Sequence, residues 1–254
     1  MDQFTHEDHL KERLSFLTEL YTLYKIKLTN EHIGILWEIL AATAIRSNSE
    51  IFFKWLNEQL SFIGTNKYTF LSYETLDYFF TNFVLNPANN YGVMEIEGFN
   101  LFKSLFKIIN EKSHKIQIMN VIRKKNEHET ISSHGSTLIS NTYSNVNQNK
   151  EFILYVHPDQ LKGIETVWRI MVECNNIIVT ADCMIFIGNI YQNVSDVIQD
   201  QRMEIEEDLV KKSILQIKNL RAEIHKPIPE HFGEEQINHV NYKNQFYQSQ
   251  IDKN

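Results

Sequence analysis

LKGIETVWRIMVECNNIIVTADCMIFIGNIY, residues 161–191, decides how the rest of the chain is read. Leu161, Ile164, Val167, Trp168 and Met171 recur every three to four positions, the spacing that puts side chains on one face of a helix. Ile177, Ala181, Met184, Ile185 and Tyr191 do the same after Asn175-Asn176, whose carboxamides suit the start of a second helix. Two helices joined by so short a link lie nearly antiparallel and share a seam. A lone pair leaves one apolar face bare, so neighbours of the same kind are required, which is the logic of a helical solenoid.

Working back from that pair, four-turn periods with short breaks recur upstream. A first helix spans about Thr5 to Lys25 with the stripe Leu10, Leu14, Leu17, Tyr21 and Tyr24. Thr29 or Asn30 opens a second, bearing Ile33, Leu36, Trp37, Leu40, Ala41 and Ala44. Ser47-Asn48-Ser49 reads as the break before a third, with Phe52, Trp55, Leu56 and Ile63 inward. Ser72 caps a fourth, faced by Leu76, Phe79, Phe80, Phe83 and Val84. Asn86-Pro87 ends it, because proline disfavours a helical residue before it and lacks a donor. The fifth carries Phe99, Phe102, Leu105, Phe106 and Ile109.

Residues 124–150, KKNEHETISSHGSTLISNTYSNVNQNK, are rich in Asn, Ser and Thr and bury too little apolar surface to offset their ordering entropy. They are expected to form a flexible insertion. Phe152 to His157 is the one strand-like run, or else a buried entry into the helix pair, and Pro158-Asp159 suits that pair's first turn. A last helix, about Met203 to Ile224, points Val210, Ile214, Ile217 and Leu220 inward. Its acidic start, Glu204 to Asp208, and its later lysines complement the helix dipole. The expected division is a helical array over 1–123, the insertion 124–150, a second helical part over 151–224, and a mobile tail over 225–254.

The fold class expected is all-α, a solenoid of about eight helices. With only 8 Gly and 4 Pro among 254 residues, a turn-rich all-β protein is excluded. The net charge of −7 argues against a nucleic-acid partner, which would call for a basic surface. Two cysteines make no disulfide framework and fit a reducing, cytoplasmic setting. No apolar run reaches the roughly 20 residues of a membrane span, and the charged N-terminus has no signal-peptide core.

Chemistry-bearing residues are few. Cys174 or Cys183 with His157 or His225 would be a nucleophile and base, but cysteine on an apolar helix is ordinarily packed. His6 and His9 stand one turn apart without a third metal ligand. Glu204 to Asp208 reads as a solvated first turn, whereas acid catalysis needs a buried or paired carboxylate. Ser132-Ser133-His134-Gly135-Ser136 lies where geometry is least held. Asn193-Val194-Ser195 is a glycosylation sequon without a secretory route. Trp37, Trp55 and Trp168 sit on core stripes. No catalytic, cofactor-binding or metal-ligating residue is assigned, and no cofactor is expected.

Two stretches carry more than periodicity. EIEGFNLFKSLFKIIN, residues 95–110, resembles a segment of the fat facets family of ubiquitin-specific proteases, which has a Gly-Phe-Asn-Leu-Phe-Lys run matched by Gly98 to Lys103. LKGIETVWRIMVECNN is similar to that family's Leu-x-Gly-x-Asp-x-x-Trp-x-Ile pattern through Leu161, Gly163, Trp168 and Ile170, with Glu165 in place of Asp. HLKERLSFLTELY, ILWEIL and IFFKWL upstream, and Ile190 to Asn193 and EEDLVKKSILQIKNL downstream, fall in the family's order. The resemblance covers about 5–112 and 151–222. It implies an armadillo- or HEAT-like helical region upstream of a cysteine protease domain, serving as a non-catalytic scaffold with protein partners. The family's Gly-Asn-Thr-Cys and Gly-His-Tyr boxes are missing, so neither cysteine inherits the nucleophile's role. A general armadillo-type adaptor without a ubiquitin connection predicts the same fold.

Overall fold

A computed structural model describes residues 5–42, 45–65, 67–118 and 152–224. Eight α-helices follow in order among these residues. They are α1 (His6–Leu23), α2 (Asn30–Leu36), α3 (Arg46–Leu60), α4 (Tyr73–Phe79), α5 (Ile96–Lys112), α6 (Ile164–Glu173), α7 (Ile177–Gln192) and α8 (Arg202–Ile224). Local sequence chemistry sets most of the starts. Thr5 and Thr29 each accept a hydrogen bond from the backbone N–H three residues on, and the side chains of Asp8 and His32 accept one from the cap's own N–H. Ser72 and Asn176 cap α4 and α7 in the same sense.

Alternation of the helices builds an all-α, armadillo-like stack. The odd helices pack in one row, α1 on α3, α3 on α5 and α5 on α7. In the second row α2 packs on α4 and α6 on α8. The approach to α6 reaches back to α4 through Lys162, whose ammonium lies 2.5 Å from Asp77. Between the rows runs an aromatic spine: Phe52, Phe79, Phe80, Phe99, Phe102 and Phe106 are all essentially without exposure. Phe102 lies 5.6 Å from Phe80 and 6.2 Å from Phe106, ring centre to ring centre, and Phe106 meets Phe186 of α7 edge-on at 5.2 Å. At these separations the ring pairs add to their area burial.

Both α2 and α4 end in a wide, π-helical turn, Trp37–Ala41 and Phe80–Val84. The turn swings Trp37 against Phe79 and Phe83, 5.7 and 5.6 Å away. Gly163, just before α6, has φ +95°, and a Cβ there would sit 2.9 Å from Cζ of Phe80. Only glycine meets both demands, a left-handed backbone and contact with a buried ring.

The inward stripes expected of α1 to α6 are those observed, with local exceptions. Tyr24 is 66% exposed, lying past the end of α1, and Ala44 falls outside the described residues. Ser47-Asn48-Ser49 is no break: α3 begins at Arg46 and holds all three in its first turn, with Asn48 buried. Leu161 is buried but precedes α6, as the exit of the 3-10 turn Pro158–Gln160.

Two expectations are overturned more substantially, and a third feature is only half foreseen. On α7 the buried face is Val179, Thr180, Cys183, Phe186, Ile187, Ile190 and Tyr191. Ile177, Ala181, Met184 and Ile185 instead face outward, because α7 is apolar all round and periodicity alone does not choose between its two stripes. On α8, Ile205 and Leu209 pack inward while Val210 and Ile214 are exposed. Finally, the array contains a small sheet. β1 (Ile116–Ile118) pairs antiparallel with β2 (Phe152–Leu154), Ile116 opposite Leu154 and Ile118 opposite Phe152. The strand reading of Phe152 onward is therefore right, while β1 is too short for any periodicity to show it. The insertion and tail expectations, residues 124–150 and 225–254, lie outside the described residues.

Candidate functional site

Sequence-separated polar groups converge where α8 meets the start of α6 and the end of α7. The ammonium of Lys212 bridges Asp159 and Asp208, the latter at 3.3 Å, with Glu165 3.5 Å away. The Tyr191 hydroxyl donates to Asp208 at 2.8 Å, and Nδ1 of His157 stands 3.6 Å from Asp159. The buried Nε2 of His157 and indole N–H of Trp168 have no hydrogen-bond partner. His157, Asp159 and Asp208 are the one set among the described residues with donor atoms close enough to share a metal ion. The two carboxylates of that set hold the Lys212 ammonium, an ion network that ties α8 to the stack.

Burial works against the charge on Lys212, but its hydrogen bond to Asp159 and the neighbouring Tyr191 and Asp208 outweigh it and hold the ammonium's pKa above the usual lysine range. A raised lysine value adds stability that is fully present below the unfolded value and is lost only as pH rises through the folded one. Around neutrality the tie is therefore constant. Burial and the bond to Asp208 likewise raise the Tyr191 phenol.

A second corner joins the start of α3, the turn before α5 and the α6–α7 link. A cleft of about 680 Å³ is lined there by Arg46, Asn90, Gly92, Val93, Met94, Glu95, Glu173, Asn175 and Asn176. Its polar groups bind one another: Arg46 pairs with Glu95 at 2.7 Å, Asn176 donates to Glu95 at 2.6 Å, and Arg169 pairs with Glu173 at 3.0 Å. Behind it Glu50 of α3 accepts a hydrogen bond from the backbone N–H of Glu97, in the first turn of α5. One helix thus caps another across the stack.

Burial raises the pKa of Glu50, the charges of Glu95 and Glu97 add to the shift, and the backbone N–H groups of Glu97 and Gly98 oppose it. The folded chain consequently binds a proton that the unfolded chain releases, and stability falls as pH rises from the ordinary value of 4.5 through the raised one. Urea melts of the chain and of Glu50→Gln, run at steps from pH 4.5 upward, should show the slope flattened in the variant. Equal slopes would remove Glu50 from the account.

The thiols do not join either cluster. Cys174 and Cys183 are fully buried, and the Cys174 thiol points at the carbonyl oxygen of Met94, 3.4 Å away. Burial pushes both thiols above the usual range, the opposite of an activated nucleophile. His157 stands with Asp159 rather than with a thiol, and His225 lies outside the described residues. His6 meets Asn48 at 3.0 Å through Nε2, at a shallow cleft it shares with His9. Glu206 and Glu207 pair with Arg202 and Lys211 in solvent, but Asp208 turns inward, contrary to the solvated reading of the whole acidic run. The sequon's Asn193 and Ser195 are buried, their backbones bonded to Leu154. Trp55 donates to Thr18 in the core, and residues 132–136 lie outside the described residues. No helix among the described residues is long and apolar enough to cross a membrane.

Sequence reasoning missed the Lys212 network because its members come from the 3-10 turn, α6, α7 and α8, and no spacing joins His157 and Asp159 to Lys212. Residues 1–110 match the family profile described as the UBP24/USP9X/USP9Y ARM repeat. No curated protein matches the chain. The similarity drawn above for 151–222 lies beyond the matched residues, so the second helical part rests on its own packing.

Proposed function

We propose, because residues 1–110 match the UBP24/USP9X/USP9Y ARM-repeat profile, that the chain is a non-catalytic scaffold segment of a deubiquitinase of that ubiquitin-specific protease family. Its role is to offer stacked helices as a surface for other proteins, whether the protease domain, its ubiquitinated substrates or adaptors. The observation that carries this reading is the profile match falling on a continuous two-row helix stack. It is supported by the state of the two thiols, both buried and held protonated. Peptide-bond cleavage by a thiol needs a thiolate and a base in reach. The cytoplasm is the proposed setting and nucleic acid is not a proposed partner, in keeping with the free cysteines and the net charge of −7. A general adaptor unconnected with ubiquitin has the same architecture, but the profile match favours the first reading.

The test is release of fluorophore from a ubiquitin–fluorophore conjugate by the purified chain. No turnover above buffer is expected. Turnover that disappears in Cys174→Ser or Cys183→Ser would overturn the non-catalytic reading.

A further inference from the structure

The cleft between the start of α3, the turn before α5 and the α6–α7 link encloses about 680 Å³, a size that accepts a guest side chain with room for its neighbours. Its charges do not balance. Glu95 and Glu173 line it, and Glu50 lies in the field of Glu95 and Glu97, whereas the cations that pair with this group are Arg46 and Arg169. Four carboxylates against two guanidiniums leave a local excess of negative charge. The end of α6 adds to it, because the C-terminus of a helix carries partial negative charge. The carbonyl oxygen of Glu173, the last of α6, would stand 3.3 Å from a Cβ on Gly92 in the cleft lining, and it has no hydrogen-bond partner among the described residues.

The two arginines differ in how firmly they are held. Arg169 grips both oxygens of Glu173, at 3.0 and 3.3 Å, and its guanidinium carbon lies 4.9 Å from the centre of the Tyr91 ring. Arg46 reaches Glu95 at 2.7 Å with its own side chain 63% exposed. Exposed pairs of that kind contribute little, so another cation can take the place of Arg46 at low cost. Val93, 54% exposed, and Met94 stand in the same lining and offer the apolar wall along which the methylene stem of a long cationic side chain lies. We propose that this cleft binds an arginine side chain presented by a partner protein, with its guanidinium on Glu95 and its stem along Val93 and Met94, and that Arg46 occupies the carboxylate until the partner arrives. Arginine suits the site better than lysine, because its planar fork engages a carboxylate through two parallel bonds. The net charge of −7 favours the approach of such a partner. This deepens the scaffold reading, on which it rests for the presence of a protein partner.

The probe is a fluorescein-labelled peptide of alternating arginine and glycine, followed by anisotropy on the full chain in about 0.15 M salt, where exposed charges more than about 8 Å apart are largely screened. Glu95→Gln should weaken binding about tenfold through loss of a charge-assisted contact. Arg46→Gln should tighten it about threefold by removing the competitor. Glu206→Gln and Arg202→Gln make the same two charge changes at an exposed pair on α8 and should leave the affinity unchanged. Equal effects of Glu95→Gln and Glu206→Gln would mean a diffuse field and would overturn the proposal. So would an affinity that Arg46→Gln leaves unmoved or weakens, or binding no tighter than that of a peptide with norleucine in place of arginine. Arg46→Gln, at an exposed side chain, decides the matter should Glu95→Gln show a lowered urea midpoint. No ubiquitin enters this experiment, so its failure leaves the conjugate-hydrolysis test of the scaffold reading standing.

Discussion

Replacing Phe102 with alanine should destabilise the chain by about 3–5 kcal/mol, the largest single-residue effect expected in the stack. Phe102 is without exposure and stands where α5 meets α4, with Phe80, Phe99 and Phe106 within 6.2 Å between ring centres. Deleting the ring leaves a cavity walled by Phe80 from the turn after α4 and by Phe99 and Phe106 of α5 itself, all buried, so collapse into the space is limited. Against a total stability of about 5–15 kcal/mol for a folded domain, that loss is a large fraction. The measure is the urea midpoint at unchanged slope. Phe16→Ala, at a side chain 63% exposed on α1, serves as control and should stay within about 0.5 kcal/mol of the parent. Should the two variants melt alike, the aromatic spine is not what holds the rows together.

Gly163→Ala comes second, and its size is separable into two causes by a partner experiment. Gly64 also has a positive φ, +78°, but nothing lies within 4 Å of its would-be Cβ. Gly64→Ala therefore reports the backbone cost alone, about 1–2 kcal/mol. At Gly163 the new methyl would also meet Phe80 at 2.9 Å and Leu85 at 3.3 Å, and Phe80 is itself fully buried with no room to retreat. Overpacking of that kind adds roughly 1–3 kcal/mol, so Gly163→Ala should be the more damaging of the two by that amount. Equal losses would mean that Phe80 yields easily and that the α4–α6 contact is loose.

How far the fold could be read from residues alone depended on contrast between helix faces. α5 is the clear case: Phe99, Phe102, Leu105, Phe106 and Ile109 are apolar and inward, with Lys103, Lys107 and Lys112 between them. α7 offers no such contrast, since isoleucines stand on both sides and the period fits either one. α8 failed for a different reason. Beyond Ile205 and Leu209 its anchoring is ionic and polar, through Lys212, Asp208 and the Tyr191 hydroxyl, and a hydrophobic stripe does not register such contacts. Val210 and Ile214 fit the helical period yet face solvent. The π turns at the ends of α2 and α4 were equally invisible, because widening a single turn leaves the apolar spacing almost unchanged. The candidate sites were legible only as separate letters: His157 and Asp208 were noted, while their common partner Lys212 was one lysine among several.

The two-stranded ribbon has a practical consequence for anyone wishing to modify this molecule. Ile118 and Phe152 face each other across β1 and β2, so the two ends of segment 119–151 are held at neighbouring points. Polypeptide spliced between them adds closure entropy of only about 0.6 kcal/mol for each doubling of length. A reporter module or affinity handle whose own termini lie close together can be grafted at this doorway while α5, α6 and α7 keep their places.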